Sequence, residues 1–124
     1  MATIIVIEDD DAVRSVMRRA LERHGHLVVE APEGARGVEL LREHDADLVI
    51  TDIFMPGQDG ILTLRQIRKE FPTLKVIVVS GGDRTGRLDL RKDAELLGAV
   101  RSVRKPFTAT EIVTVVTEIL GHTD

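Results

Sequence analysis

The chain contains no cysteine, no tryptophan and no tyrosine among its 124 residues, and phenylalanine occurs only three times. Without cysteine it can form no disulfide bond, which favours a reducing compartment such as the cytoplasm. So few aromatic side chains provide no stacking platform for nucleobases. A net charge of −4 also argues against extensive contact with phosphates. We therefore expect no direct binding to nucleic acid.

Long apolar runs are missing as well. No run approaches the roughly 20 residues that a membrane-spanning helix needs, and residues 1–8 lack the basic start of a secretory signal. Hydrophobic residues make up 43% of the chain and charged residues 31%, which is typical of a globular protein. A chain of this length can build one hydrophobic core. We expect a single domain over residues 1–124 and no association with a membrane.

Short apolar runs alternate with amphipathic segments along the chain. The runs are rich in β-branched residues and too short for helices, as expected of parallel strands that are covered on both faces. The predicted strands are residues 3–7, 27–31, 47–52, 75–80 and 99–103. The predicted helices are residues 12–24, 33–44, 61–71, roughly 86–97 and 108–120. This alternation predicts an α/β fold with a five-stranded parallel sheet and helices on both faces.

Polar residues follow four of the predicted strands. Glu8 and Asp9 end the first strand, Asp52 the third and Ser80 the fourth, and Lys105 follows the fifth. Ligands of open α/β sheets bind outside the carboxyl ends of the strands. We therefore expect these five residues to meet at one edge of the sheet.

Electrostatic repulsion disfavours several acidic residues at one edge of the sheet. Two carboxylates about 4 Å apart repel by roughly 4 kcal/mol at an effective dielectric constant of 20. A divalent cation reverses this, and Mg²⁺ is usually held by one or two carboxylates together with a phosphoryl oxygen. Ser80 and Lys105 offer a hydroxyl and an ammonium group to such a phosphoryl group. Because Asp52 stands alone at a strand end, we predict that its carboxylate is the nucleophile and forms an aspartyl phosphate.

Other interpretations of the acidic residues are possible. The run Glu8–Asp11 could be a solvated loop in which Asp10 or Asp11 only caps the first helix. A phosphatase of the haloacid dehalogenase type needs a second aspartate two residues after its nucleophile, where this chain has Phe54. A nucleotide-binding domain would need a glycine-rich turn after the first strand, where this chain has acids.

Four segments together resemble the receiver domain of bacterial two-component response regulators, the CheY-like superfamily. They are IIVIEDDDAV, DLVITDIFMPGQDG, VIVVSGG and VRKPF. The resemblance covers nearly the whole chain and implies a flavodoxin-like (βα)5 fold with strand order 2-1-3-4-5. It also implies a cis peptide bond between Lys105 and Pro106.

The resemblance assigns a role to each site residue. It implies that Asp52 is the phosphoacceptor and that Ser80 and Lys105 contact the phosphoryl oxygens. Mg²⁺, for which Mn²⁺ or another divalent cation can substitute, would be held by Glu8, Asp9, Asp52 and the backbone carbonyl of Phe54.

The implied function is signal transduction in a phosphorelay. The phosphoryl group would come from a sensor histidine kinase or a histidine phosphotransfer protein. It would change the surface of helix 4, strand 5 and helix 5, which would act on a downstream protein or a fused output domain, and through which a homodimer could form. Such a domain is not an enzyme in the usual sense. The alternatives are a regulatory receiver excised from a larger DNA-binding transcription factor, and a pseudo-receiver that binds partners without phosphorylation.

Three features depart from the usual receiver pattern. Ser102 stands where receivers usually carry tyrosine or phenylalanine, so an inward-turning aromatic side chain cannot transmit the signal. The interval from Ser80 to Lys105 is a few residues longer than is common. Phe54 is bulky, and we expect it to slow loss of the phosphoryl group by obstructing the attacking water.

Overall fold

A computed structural model describes residues 2–55, 58–81, 94–95 and 97–121 of the chain. Five strands and four helices make up most of the described part. The strands are β1 (Thr3–Ile7), β2 (Leu27–Ala31), β3 (Leu48–Asp52), β4 (Lys75–Ser80) and β5 (Arg101–Arg104). The helices are α1 (Asp11–Arg23), α2 (Gly34–Glu43), α3 (Gly60–Glu70) and α4 (Ala109–Leu120).

The five strands form one parallel sheet in the order β2-β1-β3-β4-β5. This confirms the predicted fold class and the strand order 2-1-3-4-5. Every residue of β3 is buried, as expected for a central strand of a sheet that is covered on both faces. All five carboxyl ends therefore lie at the same edge of the sheet.

Two hydrophobic layers cover the faces of this sheet. Side chains of β1 alternate between them: Ile5 and Ile7 join one layer, and Ile4 and Val6 join the other. The first layer packs under α2 and α3, and the second packs under α1 and α4. The two layers fix the sheet between the helices, and so fix the positions of its strand ends.

Close packing explains a glycine inside α2 that is unfavourable for a helix by itself. A Cβ atom at Gly37 would overlap the side chain of Ile7 in β1. The missing side chain lets α2 lie close to the sheet. The helix forms despite this residue because its packing on the sheet outweighs the local preference.

Most observed boundaries lie within one residue of the predicted ones. The largest shift is in β5, which begins at Arg101 rather than at residue 99. A two-stranded antiparallel hairpin, Phe54–Met55 with Gln58–Asp59, lies where the sequence predicts a loop. Of the predicted fourth helix, residues 94 and 95 are helical, whereas 86–93 and 96 lie outside the described residues. No helix in the described part is long and apolar enough to cross a bilayer.

Candidate functional site

Two buried carboxylates lie at the ends of neighbouring central strands. Glu8 follows β1, and its backbone N–H donates a hydrogen bond to the Ala31 carbonyl of β2 at 3.0 Å. Asp52 is the last residue of β3. The exposed fraction is 0% for Glu8 and 1% for Asp52. Acidic side chains are almost never buried so completely without a partner, so both carboxylates need a positive charge nearby.

Asp9 completes an acidic cluster with these two residues. One carboxylate oxygen from each of Glu8, Asp9 and Asp52 lies within 4.8 Å of the others. Asp9 itself is only half-buried, so the cluster opens towards solvent on its side. Three hard oxygen ligands at this spacing, with access from solvent, could hold a divalent cation.

Lys105 supplies the positive charge. Its Nζ lies 2.7 Å from Oε1 of Glu8 and 2.7 Å from Oδ2 of Asp52. The Lys105 N–H donates a hydrogen bond to the Ser80 carbonyl at 3.0 Å, which ties the backbone of Lys105 to the end of β4. The Lys105–Pro106 peptide bond is cis, as the resemblance to receiver domains implies. Lys105 therefore joins the ends of β1 and β3 from the loop after β5.

The pKa values of Glu8 and Lys105 are both raised, although burial acts on the two groups in opposite directions. The pKa of Glu8 is raised to about 7: burial is the largest cause and the charge of Asp52 acts in the same direction, whereas the contacts with Lys105 and the Asp10 N–H oppose the rise. Burial alone would lower the pKa of Lys105, but its hydrogen bonds to Asp52 and Glu8 raise it overall. The ammonium group therefore stays charged at neutral pH, whereas Glu8 can change its charge near pH 7.

The residues fit a divalent cation. Oε1 of Glu8 is buried, and the ammonium group of Lys105 lies 2.7 Å from it. A buried carboxylate oxygen in this state retains lone pairs that a cation can use. Glu8, Asp9 and Asp52 would hold the ion, with Lys105 displaced from or sharing the same oxygens.

The other two acids of the run, Asp10 and Asp11, are not part of this cluster. Asp10 is the N-cap of α1, since its Oδ1 accepts hydrogen bonds from the N–H groups of Ala12 and Val13 at 2.9 and 3.1 Å. The Asp10 N–H also donates to Oε2 of Glu8 at 3.1 Å. Asp11 is exposed. The helix-capping interpretation is thus correct for Asp10, while Glu8 and Asp9 face Asp52.

Three further residues of the receiver pattern, Ser80, Phe54 and Ser102, lie on described elements of the fold. Ser80 is buried at the end of β4, one residue beyond the position that pairs with Asp52. Phe54 starts the short hairpin two residues after Asp52, and its side chain lies outside the described part. The Ser102 hydroxyl donates a hydrogen bond to Oε2 of Glu95 at 2.7 Å. The predicted roles of these residues stay predictions.

Gly60, the first residue of α3, packs against the chain that follows Asp52. A Cβ atom at Gly60 would overlap the backbone carbonyl oxygen of Ile53, the residue after Asp52. The first residue of α3 therefore packs directly on the chain that leaves the candidate phosphoacceptor. The Asp-Gly pair at 59–60 was the available sequence signal, but a close approach and a turn require the same residue type.

An apolar recess adjoins the acidic cluster. It is lined by Ala12, Val13 and Val16 of α1 and by Lys105, Pro106 and Phe107 of the loop after β5. Val16 is 46% exposed although it is a large apolar residue. Lys105 belongs both to the lining of the recess and to the acidic cluster, so the two adjoin.

Known proteins are similar to this chain in both sequence and fold. The family model of the response regulator receiver domain matches residues 4–117. The chain is 35% identical to the transcriptional regulatory protein CseB of Streptomyces avermitilis, covering 96% of this chain and 50% of CseB. It is 36% identical to the sensor kinase CckA of Brucella abortus, covering 99% of this chain and 13% of CckA.

A solved structure of a receiver domain has the same fold as this chain. The response regulator receiver domain protein from Clostridium thermocellum superposes with a TM-score of 0.86 at 30% identity, covering 97% of this chain and 94% of that one. The chain spans half or less of the length of the two curated relatives described above. Sequence and structure agree over nearly all of its residues, and the chain belongs to the response regulator receiver domain family.

Proposed function

We propose that this domain accepts a phosphoryl group from a phosphohistidine onto Asp52, in a reaction that requires Mg²⁺, and thereby transmits a signal in a phosphorelay. The observation that carries the proposal is the position of Lys105. Its ammonium group lies 2.7 Å from Asp52 and 2.7 Å from Glu8, beside a half-buried Asp9. Positive charge is thus already placed where a transferring phosphoryl group would carry negative charge.

The proposed step is an in-line displacement. An oxygen of the Asp52 carboxylate attacks phosphorus, and the bond from phosphorus to the imidazole nitrogen of the donor breaks, with its electron pair left on that nitrogen. Mg²⁺ held by Glu8, Asp9, Asp52 and the Phe54 carbonyl would add positive charge at the phosphoryl oxygens. Lys105 then pairs with one of these oxygens, and the Ser80 hydroxyl donates a hydrogen bond to another.

The apolar recess beside Lys105 supports a protein as the phosphodonor. A phosphohistidine side chain must approach Asp52 from the edge of the sheet, where α1 and the loop around Pro106 form the recess. Exposed Val16 offers such a partner an apolar contact. We propose a sensor histidine kinase or a histidine phosphotransfer protein as this partner, in the cytoplasm.

The proposed output surface includes the last strand and the last helix of the described part. It comprises the predicted fourth helix, most of which is outside the described part, together with β5 and α4. A shallow groove between β5 and α4, lined by Arg101, Arg104, Thr110 and Thr114 among others, is open on this face. A downstream protein, a fused output domain or a second copy of this chain would bind there.

Phosphorylation can be tested by intact-mass measurement. The full chain is incubated with Mg²⁺ and a small phosphodonor such as acetyl phosphate. We expect the mass of one phosphoryl group to be added to wild type and to Asp11→Asn, a matched control in the same acidic run, but not to Asp52→Asn. Addition of a chelator before the phosphodonor should abolish the labelling.

Two outcomes would contradict the proposal. Labelling of Asp52→Asn at the wild-type rate would move the acceptor to another residue. A wild type that takes no label from either a small phosphodonor or a histidine kinase would identify the chain as a pseudo-receiver.

A further inference from the structure

One arginine outside the acidic cluster holds the chain that carries it. Arg14 lies in the first turn of α1, and its side chain is only 16% exposed. Its Nη1 donates a hydrogen bond to the backbone carbonyl of Glu8 at 2.7 Å, and its Nη2 donates to Oδ1 of Asp11 at 2.6 Å. Its Nε lies 3.4 Å from Oε1 of Glu30 in β2. One guanidinium group thus joins the end of β1, the start of α1 and the neighbouring strand.

Arg18, one helical turn further on, shows that this arrangement is not a general feature of the helix surface. It shares the partner Glu30, with Nη1 2.6 Å from Oε2, and it also pairs with Glu22. Its side chain is 46% exposed, and these two partners are carboxylates outside the acidic run. Exposed ion pairs of this kind contribute little to the stability of the folded protein. Only Arg14 of the two reaches the backbone between the cation ligands.

The carbonyl that Arg14 holds belongs to the peptide group between Glu8 and Asp9. Rotation of this peptide plane would redirect the Asp9 side chain relative to Glu8. The N–H of Glu8 is fixed by Ala31, and the N–H of Asp10 is fixed by the Glu8 carboxylate. The hydrogen bond from Arg14 adds a restraint on the peptide between them, and the planar fork of arginine defines its direction.

The acidic cluster needs such a restraint because its members repel one another. Without a cation, Asp9 is free to turn towards solvent, since it is half-buried and lies at the open side of the cluster. A fixed peptide keeps Asp9 facing Glu8 and Asp52. Less conformational entropy is then lost when the cation binds. Groups that orient metal ligands in this way typically change affinity by about 10- to 100-fold.

We propose that Arg14 is a positioning residue for the divalent cation: it holds the Glu8–Asp9 peptide so that both carboxylates face Asp52. This inference rests on the proposed function, because it assumes that the cluster binds Mg²⁺. The role is one of orientation and not of charge, since a guanidinium charge by itself repels a cation. A lysine keeps the charge but lacks the two-pronged geometry, so it separates the two effects.

The test is titration of the full chain with Mg²⁺ by isothermal calorimetry. We expect Arg14→Lys to raise the Kd about tenfold relative to wild type. Arg18→Lys is the matched control, with the same substitution on the same helix and a shared partner in Glu30, and it should stay within about twofold. Labelling of Asp52 by acetyl phosphate should need correspondingly more Mg²⁺ for Arg14→Lys, with an unchanged rate at saturating Mg²⁺.

Amide hydrogen exchange provides a second measurement that does not depend on cation binding. In Arg14→Lys the Asp10 amide should exchange faster, because the loop is less restrained. The Glu111 amide, which donates to Thr108 at the start of α4, should be unaffected. General destabilisation would instead accelerate both amides and would contradict a specific role.

The outcomes separate this inference from the proposed function. A wild type that binds no Mg²⁺ overturns the proposed function and this inference with it. A wild type that binds Mg²⁺, together with an Arg14→Lys variant of equal affinity, overturns this inference alone. Equal weakening by Arg18→Lys would assign the effect to the ion pairs of α1 in general, and would also overturn it.

Discussion

The ammonium group of Lys105 lies between two buried carboxylates, and a third lies close by. Burying several charges at one point is costly unless they neutralise one another. One lysine cannot neutralise three carboxylates. Ionisation is therefore least favourable for Glu8, which is the most buried of the three. The raised pKa of Glu8, about 7, expresses this cost. A cation at the site would remove it, because a cation favours the ionised carboxylate.

This raised pKa predicts how stability changes with pH. Because the pKa of Glu8 rises from 4.5 to about 7 on folding, the folded chain holds a proton between these pH values that the unfolded chain has lost. The free energy of unfolding should therefore fall as pH rises through this range, by on the order of 3 kcal/mol from Glu8. Urea denaturation with a chelator present, followed by circular dichroism at pH 5 and pH 7.5, measures the change.

Glu8→Gln provides the comparison for this prediction. Glutamine has a similar shape and does not titrate, so the variant should lose this part of the pH dependence and keep the rest. Parallel stability curves for wild type and Glu8→Gln would show that the buried carboxyl group has an ordinary pKa.

The start of α3 and the chain that follows β3 form a single packed unit. Gly60 begins the helix directly against the Ile53 backbone, and the short hairpin connects the two. Backbone atoms cannot rotate out of the way as a side chain can. The position of the residue after Asp52 therefore depends on the absence of a side chain at the first residue of α3.

Gly60→Ala should destabilise the domain by about 1–3 kcal/mol, the usual cost of inserting a methyl group into a packed region. It should also slow labelling of Asp52, since Ile53 must shift. The control is Gly81→Ala, whose new Cβ atom would meet the Lys105 side chain at an ordinary distance of 3.6 Å. Chemical denaturation measures both variants, and equal stability of Gly60→Ala and wild type would contradict the close approach.

The exposed face of α1 at the apolar recess should matter for one kind of phosphodonor only. Val16→Asp places a charge in the recess, so transfer from a phosphohistidine-bearing kinase that labels wild type should slow by about tenfold or more. Labelling by acetyl phosphate, which needs no docking surface, should be nearly unchanged. Leu62→Asp, at another exposed apolar residue, is the control. Equal losses with both donors would place the effect of Val16 in the site itself.

The molecule as a whole is held together by two apolar layers, one on each face of a parallel sheet. Neither layer includes the acidic cluster, so we expect the fold to form without a bound ion. The cluster lies at the carboxyl edge, where the strands end and charged residues can reach solvent. The apolar layers on the faces of the sheet thus provide stability, and the carboxyl edge carries the candidate site.

Removal of divalent cations should therefore stop the reaction and preserve the fold. With a chelator, the far-ultraviolet circular dichroism spectrum should be unchanged and labelling of Asp52 should cease. Saturating Mg²⁺, at about 100 times its Kd, should add roughly 2.7 kcal/mol to the free energy of unfolding. Unfolding of the chelated protein at room temperature would contradict this separation.

Much of the molecule follows from local sequence alone. The β-branched runs and the amphipathic segments between them determine strands, helices and a parallel sheet, because periodicity and turn residues act over a few positions. The positions of Glu8, Asp52 and Ser80 at strand ends follow from the same pattern. The fold was thus predictable, and so was the meeting of Glu8, Asp9, Asp52 and Lys105 at one edge of the sheet. The N-cap of α1 was predicted as either Asp10 or Asp11, and the structure shows that it is Asp10.

The tertiary structure alone decided which groups touch. The contact of Lys105 with both carboxylates, the hydrogen bond from Arg14 to the Glu8 carbonyl, and the close approaches at Gly37 and Gly60 leave no periodic signal in the sequence. Each depends on the register of strands and the depth of helix packing, which are set by side chains far apart in the chain. The sequence by itself therefore determined which groups are available at the edge of the sheet, and the packing of the sheet determined how they are oriented.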